Sequence, residues 1–279
     1  MYNNIGDIMK YITLNNKVKM PILGLGTYYL VGKECTDIVI KAIESGYRLI
    51  DTAAWYNNEK EVGDAIKRIN IPREELFITT KISNCDDYES AIKRIEESFE
   101  RLDLDYIDLV LVHWPEGKYI EVYKALEYFY EQGKIKAIGV SNYNKELLDN
   151  LLKYCKIKPV IDQIETHIYW QQSSLHKYLK ENNIYHEAWS QFGEGYLKVL
   201  DDPLIIELSK KYNKTPAQIT LNYLINKDII VIPRTSNLDR LKENINVFDF
   251  ELDKKDIKEI EKLNRNQSVS GWPSYMKEQ

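Results

Sequence analysis

Cysteine is scarce in this 279-residue chain: Cys35, Cys85 and Cys155 stand far apart, an odd number with no Cys-x-x-Cys pair. That spacing excludes a disulfide framework and a zinc ribbon, and reduced thiols in a cytoplasmic setting are the expectation. Histidine is also sparse. His113, His167, His176 and His186 form neither an HxH nor an HExxH pattern, so no metal site is expected. Long apolar runs are missing: Ile107–Val112, interrupted by Asp108, and Ile229–Ile232 are strand-sized, whereas a membrane-spanning helix needs about 20 apolar residues. The opening MYNNIGDIMK lacks the basic start and apolar stretch of a signal peptide. An excess of positive charge is missing too. Lys plus Arg number 38 against 43 Asp plus Glu, a net charge of −5 with no single-sign tail, so neither nucleic acid nor an anionic membrane is an expected partner. Gly24-Leu25-Gly26 has no third glycine at the offset of a dinucleotide-binding GxGxxG turn.

What the chain has is enough apolar residue, 44%, to bury a sizeable core, with charges interspersed throughout. Eight short apolar or β-branched runs recur: Ile22–Thr27, Tyr47–Thr52, Leu76–Lys81, Ile107–Val112, Ile135–Val140, Val160–Ile164, Ile184–Trp189 and Ile229–Ile232. Charged stretches with helical spacing separate them. Ile92, Ile95, Phe99 and Leu102 draw one apolar stripe, and Val122, Leu126 and Phe129 another. Repeated βα units of this number and size predict an α/β fold, a closed (β/α)₈ TIM barrel forming one domain over residues 1–279. Ile12–Met20 predicts an N-terminal β-hairpin covering one end of the barrel, with Asn15-Asn16 supplying the turn. Extra C-terminal helices are expected over Leu241–Phe248 and Asp253–Leu263, followed by a polar tail with Trp272 and Tyr275.

In such a barrel the reactive groups stand where strands end. The second run ends at Asp51, with Tyr56 in the loop beyond, the third ends at Lys81, and the fourth runs into His113-Trp114-Pro115. Each residue alone has a structural explanation as a cap, a packing ring or a snorkelling amine. Together they compose a proton donor for a carbonyl oxygen. A phenol of ordinary pKa about 10 is a poor acid; the Lys81 ammonium should lower that value, Asp51 should fix Lys81, and His113 should orient the oxygen. The set lacks a nucleophile–base pair for acyl transfer. A carbonyl also needs a hydride, which no side chain provides and a nicotinamide cofactor does. At the customary phosphate position, after the last strand, stands Arg234-Thr235-Ser236-Asn237-Leu238-Asp239-Arg240. Two cations and two hydroxyls there exceed what a helix cap needs.

These residues resemble the aldo-keto reductase superfamily, NADPH-dependent (β/α)₈ barrels that reduce aldehydes and ketones to alcohols. The resemblance runs from Met20–Thr27, through Gly46–Ala53 with Tyr56 and Asn58-Glu59, then Asp108–Pro115 and Gly139–Tyr143, to Ile232–Asn244. It implies Tyr56 as general acid, Lys81 and Asp51 as its tuning pair, and His113 as the residue orienting the carbonyl. It implies NADPH/NADP⁺ as cofactor, with Ser141, Asn142 and Gln163 on the nicotinamide carboxamide and Trp189 stacked on the ring. Ser190, Gln191 and Phe192 would follow the pyrophosphate and Thr27 the ribose. Arg234 would meet the 2′-phosphate beside Thr235, Ser236 and Asn237, with Arg240, Glu243 and Asn244 around adenine. The sequence departs from the family in having Gln191 where proline is common, which predicts a looser loop, and Tyr28 where tryptophan is common. Tyr28, Trp55, His113 and Trp114 are the expected substrate contacts, and the expected partner is a small carbonyl compound taken by a monomer. A barrel that binds the cofactor and reports redox state to a protein is the non-catalytic alternative.

Overall fold

The computed structural model describes residues 9–269, 271 and 273–276; the opening eight residues and Trp272, both used above, lie outside that set. Its frame is a ring of eight parallel strands. In chain order the elements are β1 (Tyr11–Thr13), β2 (Lys19–Pro21), β3 (Leu25–Gly26), α1 (Gly32–Glu44), β4 (Leu49–Asp51), α2 (Glu59–Arg68), β5 (Phe77–Ile82), α3 (Tyr88–Leu102), β6 (Leu109–Val112), α4 (Tyr119–Glu131) and β7 (Ile138–Ser141). They continue as α5 (Lys145–Tyr154), β8 (Ile161–Glu165), α6 (Ser173–Glu181), β9 (Tyr185–Trp189), α7 (Pro203–Tyr212), α8 (Pro216–Asn226), β10 (Ile230–Val231), α9 (Leu238–Ile245) and α10 (Lys254–Glu261). Every one of the eight expected runs carries a strand. Strands β3 to β10 lie in sequence order, each parallel to the next.

The ring closes between its first and last strands. Leu23 bridges to Val231 and Gly26 to Arg234, and the Gly24 amide donates to the Val231 carbonyl at 2.9 Å. A Cβ on Gly26 would lie 2.6 Å from the Ile232 carbonyl oxygen. Gly26 thus stands at a seam where two backbones meet closely, while a Cβ on Gly24 would run into the Leu49 side chain, so both glycines have packing reasons and no phosphate loop is needed.

The N-terminal hairpin pairs Ile12 with Met20 in antiparallel register. The left-handed turn residue is Lys17, with φ 71°, and not Asn15 or Asn16. Both side chains also make tertiary contacts, while Asn16 Oδ1 accepts from the Val18 amide within the turn at 3.2 Å. Asn15 Nδ2 donates to the Pro159 and Asn183 carbonyls, and Asn16 Nδ2 to that of Lys136. All three acceptors immediately precede barrel strands, so the hairpin closes the end where strands begin and leaves the other end for chemistry.

The helices wrap the ring by the stripes their spacing draws. In α3 the buried line is Ala91, Ile95, Ser98 and Leu102, with Ile92 and Phe99 along its edge, and Asp87 with Ser90 forms a capping box at its start. Of the two helices expected after the last strand, α9 begins three residues earlier than Leu241, because Asn237 caps it by accepting from the Asp239 and Arg240 amides. It completes the eighth unit, and α10 follows. A further helix, α7, is inserted before α8. Beyond α10 the chain crosses the open rim: the Val269 amide donates to Glu165 Oε1 at 2.6 Å, and the Tyr275 hydroxyl to the Asn142 carbonyl at 3.2 Å. Among the described residues no helix is long and apolar enough to cross a membrane.

Helices α2 and α3 meet closely at Gly63, where an added Cβ would stand 2.1 Å from the Leu102 carbonyl oxygen. Buried Glu59 reinforces the contact by accepting from Thr80 Oγ1 at 2.5 Å and Arg101 Nε at 2.7 Å. Gly63→Ala should therefore force the helices apart and destabilise the fold by about 1–3 kcal/mol, read as a lower thermal midpoint; an unchanged midpoint would show that this contact yields freely.

Candidate active site

At the open end, Lys81 sits on β5 with its side chain inside the ring, fully buried. Its Nζ donates to Asp51 Oδ1 at 2.5 Å, to the Thr52 carbonyl at 3.0 Å and to the Tyr56 hydroxyl at 3.2 Å. An ammonium has three protons, and these three acceptors use them all. Tyr56 reaches this point because a short 3₁₀ turn, Ala54–Tyr56, follows β4 and ends on Asn57 in the left-handed region. Buried Asn58 locks that turn to the loop after β3, donating to the Thr27 and Leu30 carbonyls and accepting from Thr52 Oγ1. His113 leaves β6 with its amide bonded to the Ile82 carbonyl, and its ring meets the Tyr56 ring edge-on at 5.8 Å. The four residues expected to act together do converge.

Their electrostatics depart from expectation in one respect. Burial pushes the Tyr56 phenol above its ordinary value, and the opposing pull of Lys81 does not overcome it. The expected acidification fails because the phenolate would lose its hydration, while the ammonium beside it is already matched to Asp51. The phenol therefore holds its proton firmly in the resting site. Burial alone would lower Lys81, but Asp51 and Tyr56 outweigh it and hold the amine above its usual range, so it stays charged. Burial raises the Asp51 carboxyl, against Lys81 and Gln163, which lower it. Burial and then Lys81 hold the His113 imidazole well below its ordinary value, hence neutral. Its Nδ1 is buried with no partner among the described residues.

The expected substrate residues frame this centre. The Tyr28 ring lies 4.9 Å from that of Tyr56 and stacks on Trp55 at 5.9 Å, while Trp114 stacks on His113 at 5.7 Å. Trp55 is 55% exposed, and Tyr29, absent from the expected set, packs on Tyr28 at 3.9 Å.

A polar wall adjoins it. Ser141 Oγ donates to the Gln163 carbonyl, Asn142 Nδ2 to the His113 carbonyl, and Trp189 Nε1 to Asn142 Oδ1 at 2.9 Å. Gln163 Nε2 donates to Asp51 Oδ2 at 3.0 Å, which joins this wall to the ion pair. Thr27 Oγ1 donates to the Asp51 carbonyl. Next come Ser190, left-handed with a buried hydroxyl that has no described partner, then half-buried Phe192. Gln191 is buried and its side-chain amide donates to the Ala188 carbonyl. Past the seam, Arg234, Ser236 and Arg240 are exposed around the start of α9, while Thr235 and Asn244 are buried. The Asn237 side chain is spent on the cap, and Glu243 Oε1 accepts from Thr215 Oγ1 at 2.6 Å. An orphaned hydroxyl, a polar wall and two exposed arginines beyond the ends of the strands suit a phosphorylated dinucleotide with a polar amide at its inner end.

Besides Tyr29, three residues near the site escaped the sequence reading. Glu187 lies inside the ring and accepts from Gln163 at 2.9 Å; its parity with Trp189 on one strand was the available signal. Glu194 stands near enough to Tyr28 and Tyr56 to push both phenols up. Tyr275 reaches Asn142 from the tail, which no local pattern foretells.

Comparison with known proteins shows the family. The sequence profile described as Aldo/keto reductase family matches residues 22–265. A 9,11-endoperoxide prostaglandin H2 reductase of Trypanosoma cruzi is 43% identical, covering 94% of each chain. A glyoxal reductase of Bacillus subtilis is 43% identical over 94% of this chain and 95% of its own, and the methylglyoxal reductase DkgA of Escherichia coli 41% over 94% and 96%. Among solved structures, an aldo-keto reductase from a Medee basin deep-sea metagenome library superposes with a TM-score of 0.90 at 43% identity, over 92% of this chain and 96% of that one. A Bombyx mori aldo-keto reductase in complex with NADP gives 0.88 at 34% identity, over 94% of both. The chain belongs to the aldo/keto reductase family.

Proposed function

We propose that Tyr56 is the proton donor of this NADPH-dependent carbonyl reductase, and that its substrates are small aldehydes and α-dicarbonyls of the glyoxal and methylglyoxal kind. The observation that carries the reading is the position of Lys81 Nζ, bonded at once to Asp51 and to the Tyr56 hydroxyl beside a neutral imidazole. The names of the Bacillus subtilis and Escherichia coli relatives support the substrate class. An aromatic mouth of Tyr28, Trp55 and Trp114 fits a short planar substrate. We take the chain to act as one barrel domain, a monomer in the cytoplasm.

Ser141, Asn142, Gln163 and Trp189 would hold the nicotinamide end of NADPH. Ser190 to Phe192 would follow the pyrophosphate, with Thr27 at the ribose, and Arg234 to Asn244 would hold the adenosine 2′-phosphate and adenine. Bound NADPH supplies the hydride and its electron pair. The protein does the rest. Neutral His113 donates one hydrogen bond to the carbonyl oxygen and fixes it against Tyr56. As negative charge grows on that oxygen, Tyr56 passes it the phenolic proton, and the phenolate left behind is met by the Lys81 ammonium. Asp51 keeps that ammonium aimed and compensated. A phenol whose burial disfavours its anion gives up no proton until this charge appears.

Tyr56→Phe should lower kcat with methylglyoxal by at least roughly 10²-fold, the usual range for a positioned acid, with NADPH affinity near that of the parent protein by fluorescence titration. Retained turnover would remove Tyr56 from the role, and a parent protein that binds NADPH yet reduces no carbonyl would favour the cofactor-sensing alternative. Arg234→Ala should weaken NADPH binding far more than NADH, since only NADPH carries the phosphate for a guanidinium to grip; equal losses would refute that assignment.

A further inference from the structure

One buried acid takes no part in the chemistry above. Glu187 is 0% exposed, inside the ring on β9, and opposite Gln163 in strand register. The single amide nitrogen of Gln163 donates to Asp51 Oδ2 at 3.0 Å and to Glu187 Oε2 at 2.9 Å, so one NH₂ group bridges two carboxyls. Asp51 has a cation, Lys81, at 2.5 Å. Glu187 has none bonded to it, and its Oε1 is buried with no partner among the described residues.

We propose that Glu187 is a positioning residue of the reductase site, a neutral acid that holds Gln163 against Asp51 and that disarms the proton donor when it ionises. The inference rests on the reductase reading above. Two buried carboxylates beside one ammonium are not both compensated, so the one without a counter-ion keeps its proton. The groups that act on Glu187 are Asp51 from β4 and Lys81 from β5. Strand β8 contributes neutral Gln163, and β10 pairs Ile230 with it in register. Burial, then Asp51, push the Glu187 carboxyl up to about 8, with Gln163 and Lys81 opposing.

The consequence has a definite sign. Below that value Glu187 is uncharged, and Lys81 answers to Asp51 and to the growing phenolate alone. As pH rises through it, a second anion enters the cluster and takes a share of the Lys81 field. The Tyr56 phenolate then costs more to form, and kcat/KM for reduction falls. Glu187→Gln keeps an oxygen to accept from Gln163 and cannot ionise.

The test is the pH profile of kcat/KM for methylglyoxal with NADPH, parent protein against E187Q. The parent should lose activity above about pH 8, and in E187Q that alkaline limb should move up by at least roughly one pH unit, since the ionisation that limits the free enzyme is gone. A folded E187Q whose limb stays in place overturns the proposal and reduces Glu187 to packing, while the reductase reading stands. A parent protein with no turnover at any pH overturns both. Should E187Q not fold, infrared titration of the parent holoenzyme decides: a protonated-carboxyl band lost in step with kcat/KM supports the proposal, and no such band or no such coincidence overturns it.

Discussion

The site depends on one buried ion pair. An ammonium with no exposed surface is tolerable only with an anion in contact and its other protons satisfied, and Lys81 has Asp51 at 2.5 Å, the Thr52 carbonyl and the Tyr56 hydroxyl. Removing one partner of such a pair typically costs about 3–5 kcal/mol. The pair therefore fixes β4 to β5 and the Tyr56 turn to both. Its third bond is also the one that the proposed proton transfer would use. In that proposal, ground-state satisfaction of Lys81 and stabilisation of a Tyr56 phenolate are the same contact, set before any ligand arrives.

The barrel delivers that contact by choosing which of its ends is open. The hairpin side chains Asn15 and Asn16 bond to carbonyls just before β7, β8 and β9, and so occupy the end where strands start. The glycine seam between Leu23–Gly26 and Val231–Arg234 closes the ring and brings Arg234 beside the strand that leads to Thr27 and Tyr28. The phosphate-binding candidates and the aromatic mouth thus come to one rim although about 200 residues separate them along the chain. From the tail, the Val269 amide is bonded to Glu165 and the Tyr275 hydroxyl to the Asn142 carbonyl, next to the wall assigned to the nicotinamide.

Much of this was legible in the sequence, for identifiable reasons. Strands buried on both faces carry continuous β-branched runs, so all eight could be seen, and strand ends marked Asp51, Lys81 and His113 as neighbours. What failed was long-range or three-dimensional. Asn15-Asn16 do form the turn, but the left-handed φ expected of them falls on Lys17, and their amide nitrogens are bonded to distant carbonyls. The helix α9 starts ahead of the expected Leu241 because the Asn237 side chain caps it. Charge proximity was readable as Lys81 beside Tyr56, whereas desolvation was not, which reversed the direction expected for the phenol. Glu187 passed as one polar residue in an apolar strand, since nothing local revealed that it shares Gln163 with Asp51.

The central claim is that phenol and ammonium act as one device. Its most direct measurement is a double-mutant cycle on kcat/KM with Tyr56→Phe, Lys81→Met and both together, each at saturating NADPH. Residues that work as a unit lose their shared contribution at the first substitution, so the double variant should be scarcely worse than the poorer single one. Losses that multiply would mean that Lys81 aids catalysis independently of the Tyr56 hydroxyl, and the account would be wrong.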